Sequence, residues 1–326
     1  MTRDRMTHPT LIEIQQAAER IKPYIHRTPV FTSSSLNHMV QADLFFKCEN
    51  FQKAGAFKFR GACNAVLSLS ESEARRGVAT HSSGNHAAAL ALAAQRRGIP
   101  AFIVMPKTAP EVKKAAVAGY GGKIVFCEPT LAAREATLAK IVEETGATFI
   151  HPYNDPRVIA GQGTAALELL AEVPKLDIIM TPVGGGGLLS GTAIVTSELS
   201  PTTQIIGAEP EGADDAYRSL QEGRIVPSIQ PRTIADGLLT SLGDLTFSIL
   251  QKYVQKIVTV SEKAIITGMR HVWERMKIII EPSAAVPVGV LFERKIDLTG
   301  KRIGIILSGG NVDLDRLPWM SQQNPG

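Results

Sequence analysis

The sequence predicts an α/β protein in which open parallel sheets are covered by helices and divided between two interleaved domains. Three observations predict it. Short, near-continuous apolar runs alternate with amphipathic helical runs almost throughout, the pattern of parallel strands buried on both faces. Several strand-to-helix turns are built from glycine and small polar residues. No repeat, low-complexity tract or polar linker separates one half of the chain from the other.

Taken in order, strands are expected at residues 43–48, 77–81, 101–104, 123–126 and 147–150. Later ones are expected at 176–183, 204–207, 256–260 and 302–307. Helical patterns lie between them, among others at 85–97, 130–145 and 264–277. At 326 residues the chain has ample length for a proper core. Its 35 basic and 31 acidic residues are scattered, and no basic tract interleaved with aromatics marks a nucleic-acid surface. Every apolar stretch is cut by charge, Pro or Gly short of the ~20 residues a membrane span needs. The opening Met1-Thr2-Arg3-Asp4-Arg5-Met6 has no apolar core segment, so no signal peptide is expected. Cys48, Cys63 and Cys127 are odd in number without a CxxC pair, which suits reduced, buried thiols in a cytoplasmic protein.

Gly184-Gly185-Gly186-Gly187 follows the 176–183 run and opens a helical pattern at Leu188. Such a turn presents free backbone N–H groups and the positive end of a helix dipole, a cradle for phosphate. No Gly-Lys-Ser/Thr follows it, and no G-x-G-x-x-G/A can be fitted, so neither nucleotide motif is met. A small cofactor phosphate held by backbone amides remains, beside a purely structural glycine turn. Three further turns share the design. Ser82-Ser83-Gly84-Asn85-His86 could form an anion nest shaped for a carboxylate, or a simple helix cap. Ser308-Gly309-Gly310-Asn311 ends the last strand, where open α/β sheets bind ligands. The 207–215 segment carries Glu209, Glu211, Asp214 and Asp215, a hard-cation site or a solvated acidic helix start. Lys58 sits between Phe57 and Phe59; desolvation would free its amine for Schiff-base chemistry, unless its head snorkels to solvent.

Together, Gly55-Ala56-Phe57-Lys58-Phe59-Arg60-Gly61, Ser82 to His86, Gly184 to Gly187 and Ser308 to Asn311 resemble the four signatures of fold-type II pyridoxal-phosphate enzymes, the tryptophan synthase beta-like fold. They resemble in particular the serine racemase and serine/threonine dehydratase branch, in the family's order and over nearly the whole chain. The resemblance implies Lys58, beside Phe57, as the lysine that carries pyridoxal 5'-phosphate and the base at Cα. It implies Asn85 on the cofactor's 3-oxygen, Gly184, Gly185, Gly186, Gly187 and Leu188 on its phosphate, Ser308 at the pyridine nitrogen and the Gly237 carbonyl along its edge. Ser82, Ser83, Asn85 and His86 would hold the carboxylate of an amino-acid substrate. Glu209, Ala213 by its carbonyl and Asp215 would hold a divalent cation such as Mg²⁺.

A hydroxyl at the pyridine nitrogen cannot keep it protonated as a carboxylate would, which favours loss of a β-leaving group over transamination. The expected reaction is therefore α,β-elimination: a dehydratase, or ammonia-lyase, turning a β-hydroxy amino acid such as L-threonine or L-serine into a 2-oxo acid and ammonia. Ser83, the acid on the face opposite Lys58 in racemases, leaves serine racemase activity as an alternative. Arg134 resembles an arginine near the cleft of racemase-like relatives. Turned inward it would pair a second substrate carboxylate, making threo-3-hydroxyaspartate a further alternative; turned outward it is an ordinary helix arginine. A likeness to the dehydratase of hydroxyectoine utilisation is also present. The resemblance implies a homodimer, a large cofactor-binding domain of residues 1–67 and 149–326, and a small mobile domain of 68–148. With the last motif ending close to Gly326, no regulatory C-terminal domain is expected, which suits a degradative role.

Overall fold

The structure, a computed structural model, describes residues 7–320. Its ten strands are β1 (Val30–Phe31), β2 (Asp43–Cys48), β3 (Val78–His81), β4 (Ala101–Pro106), β5 (Lys123–Cys127), β6 (Thr148–Phe149), β7 (Ile178–Pro182), β8 (Gln204–Pro210), β9 (Lys256–Val260) and β10 (Arg302–Leu307). They form two sheets. One has the order β1-β2-β10-β7-β8-β9, and the other β5-β4-β3-β6. Every pairing is parallel except that of β1 with β2. The expected α/β class with helix-covered parallel sheets is what the chain adopts.

Burial follows from composition. β7 is buried at every position and β10 at all but its first, so neither shows the alternation of a half-exposed strand. Helices Pro156–Glu172 and Gly187–Leu199 cover one face of the larger sheet, and Pro282–Glu293, apolar on all sides, covers the other. A third cluster joins helices Lys58–Leu67 and Asn85–Arg97 to the smaller sheet. Helix Asn85–Arg97 spans the residues its pattern predicts, because Gly98 (φ 72°) closes it in the left-handed conformation. The 264–277 expectation is corrected. The α-helix runs Glu262–His271, capped by Ser261, and passes into a π-helical turn, Val272–Met276. There Trp273 Nε1 donates to Ile280 O at 3.0 Å, drawing the chain back toward residue 281.

β2, β10 and β7 are adjacent and parallel, so their carboxyl ends share one edge of the sheet. The chain leaving these three strands carries Lys58, Ser308 and Gly184 respectively. Strand order alone therefore brings together three motifs spread over 250 residues.

Candidate active site

Lys58 and Ser308 are tied through the backbone. Phe57 N donates to Ser308 O at 3.0 Å, Gly310 N donates to Gly55 O at 2.9 Å, and Ala56 pairs with Gly309 in an antiparallel bridge. Lys58 is the first residue of its helix and is half-buried. Its Nζ donates to Pro152 O at 2.8 Å and lies 5.2 Å from the Phe57 ring centroid. Lost hydration lowers its pKa to about 8, against the opposing pull of Glu281. The amine thus reaches its neutral, nucleophilic form at a lower pH than an exposed lysine does.

The glycine run is buried throughout and enters helix Gly187–Leu199 through Gly186, whose φ of 87° is costly for any other residue. A Cβ on Gly185 would collide with the Tyr153 ring, and one on Gly186 would press on Leu242 and Thr246. Protein neighbours therefore demand these glycines before any ligand does. Among the described residues, the backbone N–H groups of residues 184–188 find no protein acceptor. Buried donors left unpaired are costly, and a phosphate is the acceptor such a cradle fits. A Cβ on Gly184 would lie 3.3 Å from the Gly237 carbonyl, so Gly237 borders the loop. The Gly237 N–H donates to Ser283 Oγ at 3.0 Å. Ser308 is buried, and its hydroxyl has no protein partner among the described residues. One amine of lowered pKa, an array of free N–H groups and a lone hydroxyl thus fit pyridoxal phosphate at its aldehyde, phosphate and ring nitrogen.

Residues 82–86 leave β3 as the opposite wall, with Ser82 N donating to Val104 O at 3.2 Å. Ser83 is half-buried and its hydroxyl makes no hydrogen bond to the protein. The His86 ring is enclosed: it is 2 % exposed, with Nε2 3.2 Å from Ile150 O and Nδ1 buried without a partner. Burial, helped by the charge of Lys58, holds it well below the usual histidine pKa and hence neutral. His86 can therefore serve an anion through its backbone N–H, at the free start of helix Asn85–Arg97, and not through its ring. Arg134 on helix Leu131–Thr145 is partly buried, and its Nε is enclosed without a partner. Its charge is felt by His81 and Cys127, so it is turned into the protein.

Two groups of residues beside the motifs escaped the sequence reading. Glu281 is 4 % exposed and takes Asn85 Nδ2 at 2.9 and 3.1 Å. Burial raises its pKa to about 7, against the hydrogen bond from Asn85. The available signal was an isolated acid between the apolar 278–280 run and a proline-led apolar helix. His151 and Tyr153 form the other group, their rings 4.5 Å apart and edge to face. His151 Nδ1 accepts from Tyr153 N (3.2 Å) and Asn154 N (2.9 Å). Burial, then its neighbours His81 and Lys58, lower its pKa to about 4. Only their place after the 147–150 strand hinted at a role.

At the end of β8, Glu209 is buried and accepts from Ala216 N (2.9 Å) and Tyr217 N (2.8 Å). Both carboxylate oxygens of Asp215 are buried without a hydrogen-bond partner. Burial raises Glu209 to about 9 and Asp215 to about 6. Among the described residues no three His, Cys, Asp or Glu side chains are grouped to hold a metal. A cation here would need backbone ligands besides these two carboxylates; Ala213 is buried in the turn between them.

A family model described as pyridoxal-phosphate dependent enzyme matches residues 21–309. The chain is 54 % identical over 311 residues to a beta-hydroxyaspartate dehydratase of Paracoccus denitrificans, covering 95 % of this chain and 99 % of that one. It is 52 % identical to a serine racemase of Arabidopsis thaliana, covering 94 % of each. The crystal structure of serine racemase from Dictyostelium discoideum superposes with a TM-score of 0.91 at 50 % identity, over 94 % of this chain and 99 % of that one.

Proposed function

Since the chain belongs to the pyridoxal-phosphate dependent enzymes, we propose that it is an ammonia-lyase that dehydrates a β-hydroxy amino acid bearing a second carboxylate, as 3-hydroxyaspartate does. The pairing of Lys58 with Ser308 supports elimination. The observation that carries the substrate is Arg134, a partly buried arginine whose enclosed Nε lacks an acceptor. The similarity to a beta-hydroxyaspartate dehydratase points the same way.

When bound, pyridoxal phosphate supplies an aldehyde for the substrate amine and a ring that acidifies the Cα hydrogen. The protein does the rest. The N–H groups of residues 184–188 hold the phosphate, Ser308 Oγ meets the ring nitrogen, and the Gly237 carbonyl and Phe57 border the ring. Ser82, Ser83 and the N–H groups of Asn85 and His86 grip the α-carboxylate, and Arg134 the β-carboxylate. Lys58 Nζ would carry the cofactor at rest and, with substrate bound, would take the Cα proton and return it to the β-hydroxyl, which leaves as water. The released enamine hydrolyses in water to a 2-oxo acid and ammonia. Glu209, Asp215 and the Ala213 carbonyl would hold a divalent cation, which would brace the turn behind β8. Residues 68–148 act as a small domain that closes on the substrate and excludes water. A homodimer belongs to this reading and is read directly by sedimentation.

A substrate panel tests the proposal. Ammonia release from the 3-hydroxyaspartate diastereomers should exceed that from L-serine and L-threonine. Arg134→Ala should raise KM for 3-hydroxyaspartate by roughly 30-fold, the loss of a charge-assisted contact worth about 2 kcal/mol, and leave L-serine unaffected. Equal turnover of serine and hydroxyaspartate would contradict it. A second reading, serine racemase, is favoured by the Ser83 hydroxyl, which makes no hydrogen bond to the protein. It prevails if L-serine yields D-serine faster than 2-oxo acid.

A further inference from the structure

Asn311 closes the fourth motif, yet the chemistry above gives it no task. Its side chain ties three segments of the site together. Nδ2 donates to Ala54 O at 2.8 Å and to Asn85 Oδ1 at 3.0 Å. A carbonyl can only accept, so the Ala54 contact fixes which end of the Asn311 amide is nitrogen. The second hydrogen of that nitrogen then fixes Asn85 Oδ1. Asn85 Nδ2 is thereby turned to Glu281, which it meets at 2.9 and 3.1 Å. Glu281 is itself held in place: Oε2 accepts from Asn311 N at 3.1 Å, and its own N–H donates to Gly309 O at 3.0 Å. A flipped Asn85 would set oxygen against the Glu281 carboxylate and nitrogen against the Asn311 amide nitrogen. Both contacts repel, so one orientation survives.

From this closed chain we infer that Asn311 and Glu281 are positioning residues that lock the Asn85 amide. One Nδ2 hydrogen is committed to Glu281, and the other is presented to the cofactor as an oriented donor. The inference rests on the reading that Asn85 faces the cofactor. A carboxylate is required at 281 because its two oxygens receive both Asn85 Nδ2 and Asn311 N. A glutamine with its oxygen in the Oε2 place sets its amide nitrogen, a donor, against the Asn85 Nδ2 donor where Oε1 accepts at 2.9 Å; turned over, it sets that nitrogen against Asn311 N.

The test is a double-mutant cycle on the holoenzyme, read by the visible band of the bound cofactor and by cofactor affinity, with melting temperature as the check on folding. Asn85→Ala alone should shift the band. Glu281→Gln alone should shift it in the same direction and weaken cofactor affinity roughly tenfold, one hydrogen bond's worth. In the Asn85→Ala background, Glu281→Gln should add less than about twofold, because the residue it orients is gone. Asn311→Ala removes the restraint from the other side and should reproduce the same band shift, which covers the case in which Glu281→Gln does not fold. Additive effects, or a Glu281→Gln band identical to wild type while Asn85→Ala shifts it, would overturn the inference and leave the cofactor reading standing. An unshifted Asn85→Ala band would overturn both.

Discussion

Lys58 shows how a single residue acquires its chemistry from its surroundings. Phe57 and Phe59 on either side gave notice of an apolar setting, and burial does lower the amine's pKa, to about 8. The sign has a kinetic consequence. Below that value the amine is protonated and cannot attack an aldehyde, and the neutral fraction grows about tenfold per pH unit until pH ~8. The rate at which apoenzyme captures pyridoxal phosphate should therefore climb from pH 6 to 8 and level off above, followed by growth of the visible band. A rate still climbing steeply to pH 10 would mean that the lysine is not desolvated. The glycine run and the Ser82 to His86 turn could be singled out in the sequence, because their signal is local. Glu281 could not, and Asn311 stood there only as the end of a motif, because their contacts are made with partners about 30 to 260 residues away in the chain.

Among the elements, the long apolar strands were legible because burial on both faces leaves an unbroken run. The two-residue β1 was not, being too short to carry a pattern. The brace beneath the Lys58 helix was equally hidden. Arg60 grips Glu49 with Nε at 2.7 Å and Glu168 with Nη1 at 2.8 Å, while Lys47 reaches Glu168 at 2.7 Å. Two cations thus balance two carboxylates in a buried cluster joining β2, helix Lys58–Leu67 and helix Pro156–Glu172. Removing one member would strand a buried charge, so the helix carrying Lys58 is held at its start. The turn after β8 is a third such element. Its two enclosed carboxylates have no direct ion-pair partner among the described residues, Arg218 being paired with Asp214 at 2.8 Å, and the proposed cation would supply one. Adding Mg²⁺ to chelator-stripped protein should raise its melting temperature, and Asp215→Asn should abolish that gain. An equal gain in the variant would remove Asp215 from the site.

At the scale of the molecule, the fold converts sequence order into proximity. Parallel neighbours β2, β10 and β7 discharge their loops at one edge, and β3 of the second sheet sends residues 82–86 toward it. Direct bonds already span the two sheets: Lys58 to Pro152, Asn85 to Glu281, and the ion pair of Lys113 with Asp236 at 2.6 Å. The last joins helix Glu111–Gly119 to the turn carrying Gly237, a contact suited to following the closure proposed for residues 68–148. The central claim is that all this geometry serves one amine. Holoenzyme reduced with borohydride and digested, with the peptides weighed by mass spectrometry, tests it most directly. The account predicts the pyridoxyl mass on the peptide containing Lys58 and none in Lys58→Ala; the label on another lysine, or unchanged labelling in the variant, would contradict it.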